Sequence, residues 1–136
     1  MDNKTNLVKN WLIKACHDLN VAKKLVDDEE HHDVAIYHCQ QVAEKALKGL
    51  LTLHDLEFPK THDIRLLVQM AVGVKPELRT IEDSADLLTP YATEFRYPGE
   101  VMNPSSDEFH EALLRAEDVF NLIISLLPEE LKKSLG

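Results

Sequence analysis

Apolar residues recur at three- and four-residue steps along most of the chain. From about Thr5 to Asp27, Leu7, Val8, Trp11, Leu12, Ala15, Leu19, Ala22, Leu25 and Val26 keep that period. Lys9, Lys14, Asp18, Lys23 and Lys24 fall opposite them, which predicts an amphipathic helix. The acidic run Asp27-Asp28-Glu29-Glu30 opposes the dipole at a helix C-terminus and predicts its stop. Asp33 then predicts the N-cap of a second helix, Val34 to about His54. There Ala35, Ile36, Cys39, Val42, Ala43, Ala46, Leu47, Leu50 and Leu53 cover nearly half the circumference. So wide an arc predicts a central helix packed against several neighbours. Small Ala43, Ala46 and Gly49 would let one of them approach closely. The remaining stripe is narrow and polar: His38, Gln41, Lys45, Lys48 and Thr52, flanked by Glu44.

Leu56 to Asp63 predicts a loop, because Pro59 disfavours helix in the residue before it. Thr61 or Asp63 would cap a short third helix through Ile64, Leu67, Val68 and Ala71, ending near Gly73. Pro76 suits the first turn of a fourth, with Leu78, Ile81, Ala85 and Leu88 on one face and Pro90 interrupting it. An irregular stretch follows, from Arg96 to Pro104. Ser105 or Ser106 would then cap a last long helix carrying Phe109, Ala112, Leu113, Ala116, Phe120, Ile123 and Leu127 in one stripe. Val119, Leu122 and Leu126 lie beside that stripe, a surplus that predicts contact with a second copy. The expectation is all-α: an antiparallel four- to five-helix bundle in one domain spanning 1–136, its core about 5–127 and a polar tail over 128–136.

Composition narrows the function. The chain has 136 residues with 24 acidic against 15 basic, a formal charge of −9. That excludes indiscriminate coating of nucleic acid, which needs unopposed cations along a phosphate track. It leaves a local nucleotide site open. The N-terminal residues lack the apolar run of a signal peptide, and no stretch is long enough to span a bilayer, so no membrane role is expected. Two cysteines inside helical patterns fit a reducing cytoplasm.

Seven histidines invite a metal reading. Paired irons in a bundle need two Glu-x-x-His motifs with further inward carboxylates. Here Glu29-x-x-His32 falls at a helix junction and Asp107-x-x-His110 opens the last helix. No carboxylate lies on the central apolar arc, so these histidines, His31 and His32 included, read as solvated loop residues with no metal or cofactor. Four isolated glycines build no phosphate loop. No serine or cysteine is linked by spacing to the His62-Asp63 pair, which leaves a nucleophilic triad unsupported. Charge is more informative. Lys45, Lys48, Lys60 and Arg65 outnumber Asp55, Glu57 and Asp63 in an otherwise acidic chain. With Gln41 and His62 they could meet a phosphate and a base edge. From charge alone, an ordinary solvated helix face is the favoured reading of these residues.

Three blocks carry a resemblance. Ala35-Ile36-Tyr37-His38-Cys39-Gln40-Gln41-Val42-Ala43-Glu44-Lys45-Ala46-Leu47-Lys48 resembles the signature helix of the HEPN domain family. Pro59-Lys60-Thr61-His62-Asp63 with Leu66-Leu67 is similar to that family's next block. Thr89-Pro90-Tyr91 and Phe95-Arg96-Tyr97-Pro98-Gly99 are similar to its third. The likeness runs from about Trp11 to Leu127, with the blocks in the family's order.

The resemblance implies an all-helical homodimer that partners a small nucleotidyltransferase, in some cases as half of a toxin–antitoxin pair, and a nucleotide or RNA ligand. Carried over by residue, it implies a binding site of Gln41, Glu44, Lys45, Lys48, Lys60, His62, Arg96 and Tyr97. Lys45, Lys48 and Arg96 would neutralise phosphate, and Gln41 and His62 would hydrogen-bond. Tyr97 would stack on a base or accept a nucleotidyl group. HEPN ribonucleases share an Arg followed after four to six residues by His, the imidazole serving as acid–base. Arg65, Arg79, Arg96 and Arg115 all lack it, and Asn103 stands at that spacing from Arg96. A non-catalytic member is therefore implied. The alternatives are a metal-independent ribonuclease using Arg96 with the distant His110, and a structural bundle whose polar residues hold the Arg96–Gly99 loop against the second helix.

Overall fold

The computed structural model describes residues 2–99 and 102–135. Six α-helices occur among them: α1 (Asn3–Lys24), α2 (His32–Leu53), α3 (Ile64–Val72), α4 (Glu82–Leu88), α5 (Ser106–Ser125) and α6 (Glu129–Ser134). Short 3-10 turns, Glu29–His31, Pro76–Ile81 and Thr89–Ala92, join or extend them. The all-helical expectation holds. None of the described helices is long and apolar enough to cross a membrane.

α2 is the centre, packing against α1 along much of its length and against α5 and α3 on its other sides. Ala35, Ile36, Cys39, Val42, Ala43, Ala46, Leu47, Leu50 and Leu51 are wholly buried, and one apolar cluster draws on all six helices. The close approach expected of the small residues occurs at Gly49. A Cβ built there would lie 3.2 Å from the Cβ of Trp11, so glycine lets α1 and α2 meet backbone to backbone.

Side-chain caps start three of the six helices, α1, α3 and α5. Asp2 accepts from the Thr5 amide, Asp63 from that of Arg65 and Ser105 from that of Glu108, each satisfying a first-turn donor. α2 departs from expectation. It opens at His32, with Asp33 inside its first turn, because the Glu29–His31 turn feeds directly into it. His32 is not a solvated loop histidine. It is buried, its Nε2–H donates to the Val26 carbonyl at 2.9 Å, and its ring lies 4.4 Å from that of Phe109. The expected fourth helix starts as 3-10 at Pro76 and becomes α at Glu82, with Leu78, Ile81, Ala85 and Leu88 all buried as the pattern required.

On α5 the buried arc turns toward Val119, which is wholly buried, and leaves Phe120 half-exposed at its edge. Val119 therefore adds nothing to an outer face, and only Leu122 and Leu126 remain partly exposed of the three expected there. The stretch expected as a polar tail folds into α6, whose Leu131 is buried. Glu129 and Glu130 in its first turn and Lys132 and Lys133 in its last complement the helix dipole. Glu100 and Val101 of the irregular stretch, and the end residues Met1 and Gly136, lie outside the described residues.

Candidate functional site

The polar stripe of α2 is largely covered, and two buried carboxylates organise it. The first is Asp18 of α1. It stands three residues after Ala15 and four before Ala22, both buried, so it sits on the apolar side of α1 and not on the charged face where simple patterning puts it. Its carboxylate accepts from His38 Nδ1–H at 2.7 Å and from Lys45 Nζ at 2.7 Å. Burial alone would raise the Asp18 pKa, but the donors His38 and Lys45 outweigh it and hold the group below its ordinary value.

The second carboxylate is Glu44, 4% exposed. It accepts from His62 Nδ1–H at 2.7 Å, Lys48 Nζ at 3.0 Å and Gln40 Nε2 at 3.2 Å. Here too burial pushes the pKa up, and the three donors bring it down past its ordinary value. Gln40 Nε2 also donates to the His62 carbonyl at 3.0 Å, and Gln41 Nε2 donates to Gln40 Oε1 at 2.7 Å. Lys48, 8% exposed, lies 5.7 Å from the Trp11 ring centroid and 5.8 Å from that of Phe58. Its ammonium is thus held by a carboxylate and two aromatic rings. The His62 side chain, 70% exposed, faces water from this loop.

Gln41, Glu44, Lys45, Lys48 and His62 therefore do converge on α2. The convergence is an internal network that fastens the Pro59–Asp63 loop and α1, with little open surface. Lys60 is exposed in that loop, without an ion pair among the described residues. Arg96 and Tyr97 lie elsewhere. The Arg96 guanidinium sits 3.7 Å from the centroid of the Tyr37 ring, near the N-terminal end of α2. Tyr37 and Lys48 are about 16 Å apart along the helix axis at its usual rise per residue, so Arg96 and Lys48 do not form one anion site.

The loop bearing Arg96 turns through Phe95, whose φ of 65° places a bulky residue in the left-handed region, at a cost of about 1–3 kcal/mol. Phe95 stacks on Tyr91 with centroids 6.2 Å apart, and the Tyr91 hydroxyl donates to Glu108 of α5 at 2.6 Å. This chain of contacts fixes the loop. Tyr97, 73% exposed, projects beyond it. His110 is occupied differently. Its Nδ1–H donates to the Ser106 carbonyl at 2.7 Å and its ring meets His32 edge-on, with no hydrogen bond to Arg96 among the described residues.

Residue patterning passes over Asp18, Gln40 and Tyr37 as site members. The legible signal for Asp18 is an acid in an apolar register, which demands a partner when buried. Cys39 is wholly buried with its thiol pushed up to about 12 by burial, and is inert packing.

Known proteins fit this architecture. The chain is 29% identical over 137 residues to "Putative toxin MJ1304" of Methanocaldococcus jannaschii, the match covering 90% of this chain and 89% of that one. The crystal structure of TT1696 from Thermus thermophilus matches with a TM-score of 0.73 at 27% identity, over 90% of this chain and 99% of that one. ST0689, described as an archaeal HEPN homologue, matches with a TM-score of 0.67 at 26% identity, over 87% and 95%. The HEPN domain family model matches residues 8–130, nearly the whole of the bundle built around α2, and the chain belongs to the HEPN domain family.

Proposed function

We propose that this chain is a non-catalytic HEPN module that binds a nucleotide-type ligand and works as a homodimer beside a nucleotidyltransferase partner, in the setting of a toxin–antitoxin pair. The observation that carries this reading is Arg96, an exposed cation held against Tyr37 at 3.7 Å with the exposed Tyr97 next to it in sequence. A guanidinium pinned on an aromatic ring is pre-organised for phosphate, and a neighbouring phenol suits base stacking or acceptance of a nucleotidyl group. Lys60, on the Pro59–Asp63 loop, is a further exposed cation. Gln41, Glu44, Lys45, Lys48 and His62 form a separate internal network that holds the Pro59–Asp63 loop and α1 against α2. The name of the Methanocaldococcus jannaschii relative supports the toxin–antitoxin setting. Exposed Leu114 and partly buried Leu122 on α5, with partly buried Leu126 at its C-cap, support a dimer face.

The lack of an Arg–His pair at ribonuclease spacing, with His110 bonded to a backbone carbonyl, supports a role without catalysis. A paired assay tests this: nucleotide titration and RNA cleavage with wild type, Arg96→Ala and His110→Ala. The expected result is no cleavage, binding weakened in Arg96→Ala and binding unchanged in His110→Ala. Cleavage abolished by His110→Ala would establish the ribonuclease in its place. Sedimentation of wild type and Leu122→Asp tests the dimer, which the added charge should weaken.

A further inference from the structure

The Tyr37 ring has a second neighbour besides Arg96. The His38 imidazole lies edge-on to it with centroids 5.6 Å apart, so one aromatic ring carries a guanidinium and an imidazole together. The His38 ring is not free to turn. Its Nδ1–H is fixed on Asp18 Oδ1 at 2.7 Å, and Lys45 holds the other oxygen of that carboxylate at 2.7 Å. Fixing Nδ1 leaves Nε2, which makes no hydrogen bond among the described residues, as the nitrogen available to a ligand. The side chain keeps about a quarter of its surface, 24%, in contact with solvent.

The charges are arranged unequally along α2. At the Glu44 end the carboxylate takes a lysine, an imidazole and an amide, and its lysine is sealed between rings. At the Asp18 end one carboxylate faces Lys45 and His38, and Arg96 adds a further positive charge beside Tyr37. Among the described residues, the surplus cation at the second end favours an anion there.

The geometry points to a phosphate-ester site at the N-terminal half of α2, with Arg96 on Tyr37 as the fixed charge and His38 Nε2, aimed by Asp18, as the second ligand. Arg96 meets two phosphate oxygens through its planar fork, and His38, binding as the imidazolium with Nδ1–H on Asp18, donates its Nε2–H to a third. Asp18 acts as a positioning residue and Lys45 holds it ionised. This assignment rests on the nucleotide-binding reading only for the identity of the ester, and it replaces Lys48 with His38 as the phosphate ligand.

The test follows the imidazole signals of the wild-type protein by NMR during titration with inorganic phosphate, 5′-AMP and adenosine. Phosphate and 5′-AMP should move the His38 signals, while adenosine, lacking the phosphate, should not. His38→Asn keeps a donor toward Asp18 but removes Nε2, and should weaken 5′-AMP by about tenfold, the usual worth of one hydrogen bond to a charged group. Arg96→Gln should weaken it at least as much. Binding of 5′-AMP with the His38 signals unmoved would overturn this site and leave the nucleotide-binding reading standing. Movement of His38 by phosphate, with 5′-AMP failing to bind, would support the anion site and overturn the nucleotide reading. If none of the three probes moves His38, the assignment is wrong, whatever the variants do.

Discussion

The ammonium of Lys48 lies 3.0 Å from the carboxylate of Glu44, and both side chains are almost entirely out of water. The two are unequal partners. Glu44 has two further donors in His62 and Gln40, whereas Lys48 has, among the described residues, only the faces of Trp11 and Phe58 besides. Glu44→Ala should therefore cost about 3–5 kcal/mol, because it strands a buried cation. Lys48→Met, which keeps the apolar stem and leaves Glu44 two donors, should cost only about 1–2 kcal/mol. Urea unfolding of both variants measures the difference, and equal losses would show that Glu44 is no hub.

The same carboxylates set an acid limit. Asp18 and Glu44 are both held below their ordinary values of 3.8 and 4.5 in the folded chain. A depressed carboxylate contributes stability that is present above its unfolded value and lost as pH falls through the folded one. Stability should hold on the neutral side of 4.5 as far as these groups decide it, and decline below that. Asp18→Asn should be less stable at neutral pH and show a shallower decline in acid. Urea midpoints across the acid range check this, and an unchanged slope would remove Asp18 from the account.

The cysteines should differ sharply in reactivity. Cys39 is sealed in the core with its thiol pushed up to about 12, while Cys16 is half-exposed at a cleft between α1, α5 and α6. A thiol reagent should modify one cysteine in the native protein and both in denaturant, with the native adduct mapping to Cys16. Adduct on native Cys39 at a comparable rate would contradict the packing around α2.

Packing between α1 and α2 has no room for a side chain at position 49. Gly49→Leu should destabilise by about 1–3 kcal/mol, by driving a side chain into Trp11 and Leu12. Leu50→Ala, one residue on and wholly buried, should cost about 2–5 kcal/mol by opening a cavity. Thermal melts report both. A neutral Gly49→Leu would mean that the two helices are free to separate.

Helix positions were legible because burial and helical period coincide, as at Ala35 to Leu50 on α2 and the caps Asp63 and Ser105. What the pattern missed shares one cause. Asp18 and His32 are polar residues in apolar surroundings, and their partners, His38 and Lys45 for one and the Val26 carbonyl for the other, come from elsewhere in the fold. Periodicity weighs each side chain alone and cannot see a compensating donor twenty residues away. The same reasoning explains Lys48, read as a surface cation although its carboxylate and rings enclose it. α6 was missed because a six-residue helix holding one buried leucine has too few turns to show a period.

Every member of the buried polar network, from Asp18 through Gln40, Gln41, Glu44, Lys45 and Lys48 to His62, lies in the first half of the chain. So does the close approach of Trp11 to Gly49. Closing a short helical hairpin costs little chain entropy, and contacts local in sequence form early. The α1–α2 hairpin is therefore positioned to act as the folding nucleus, assembled while α5 and α6 are still unformed on a growing chain. Substitutions at Gly49 or Trp11 should slow refolding, whereas those at Ile123 or Leu131 should chiefly hasten unfolding. Stopped-flow kinetics would separate the two groups, and the order of assembly would then run from the N-terminus, with the polar centre in place before the outer helices close over the core.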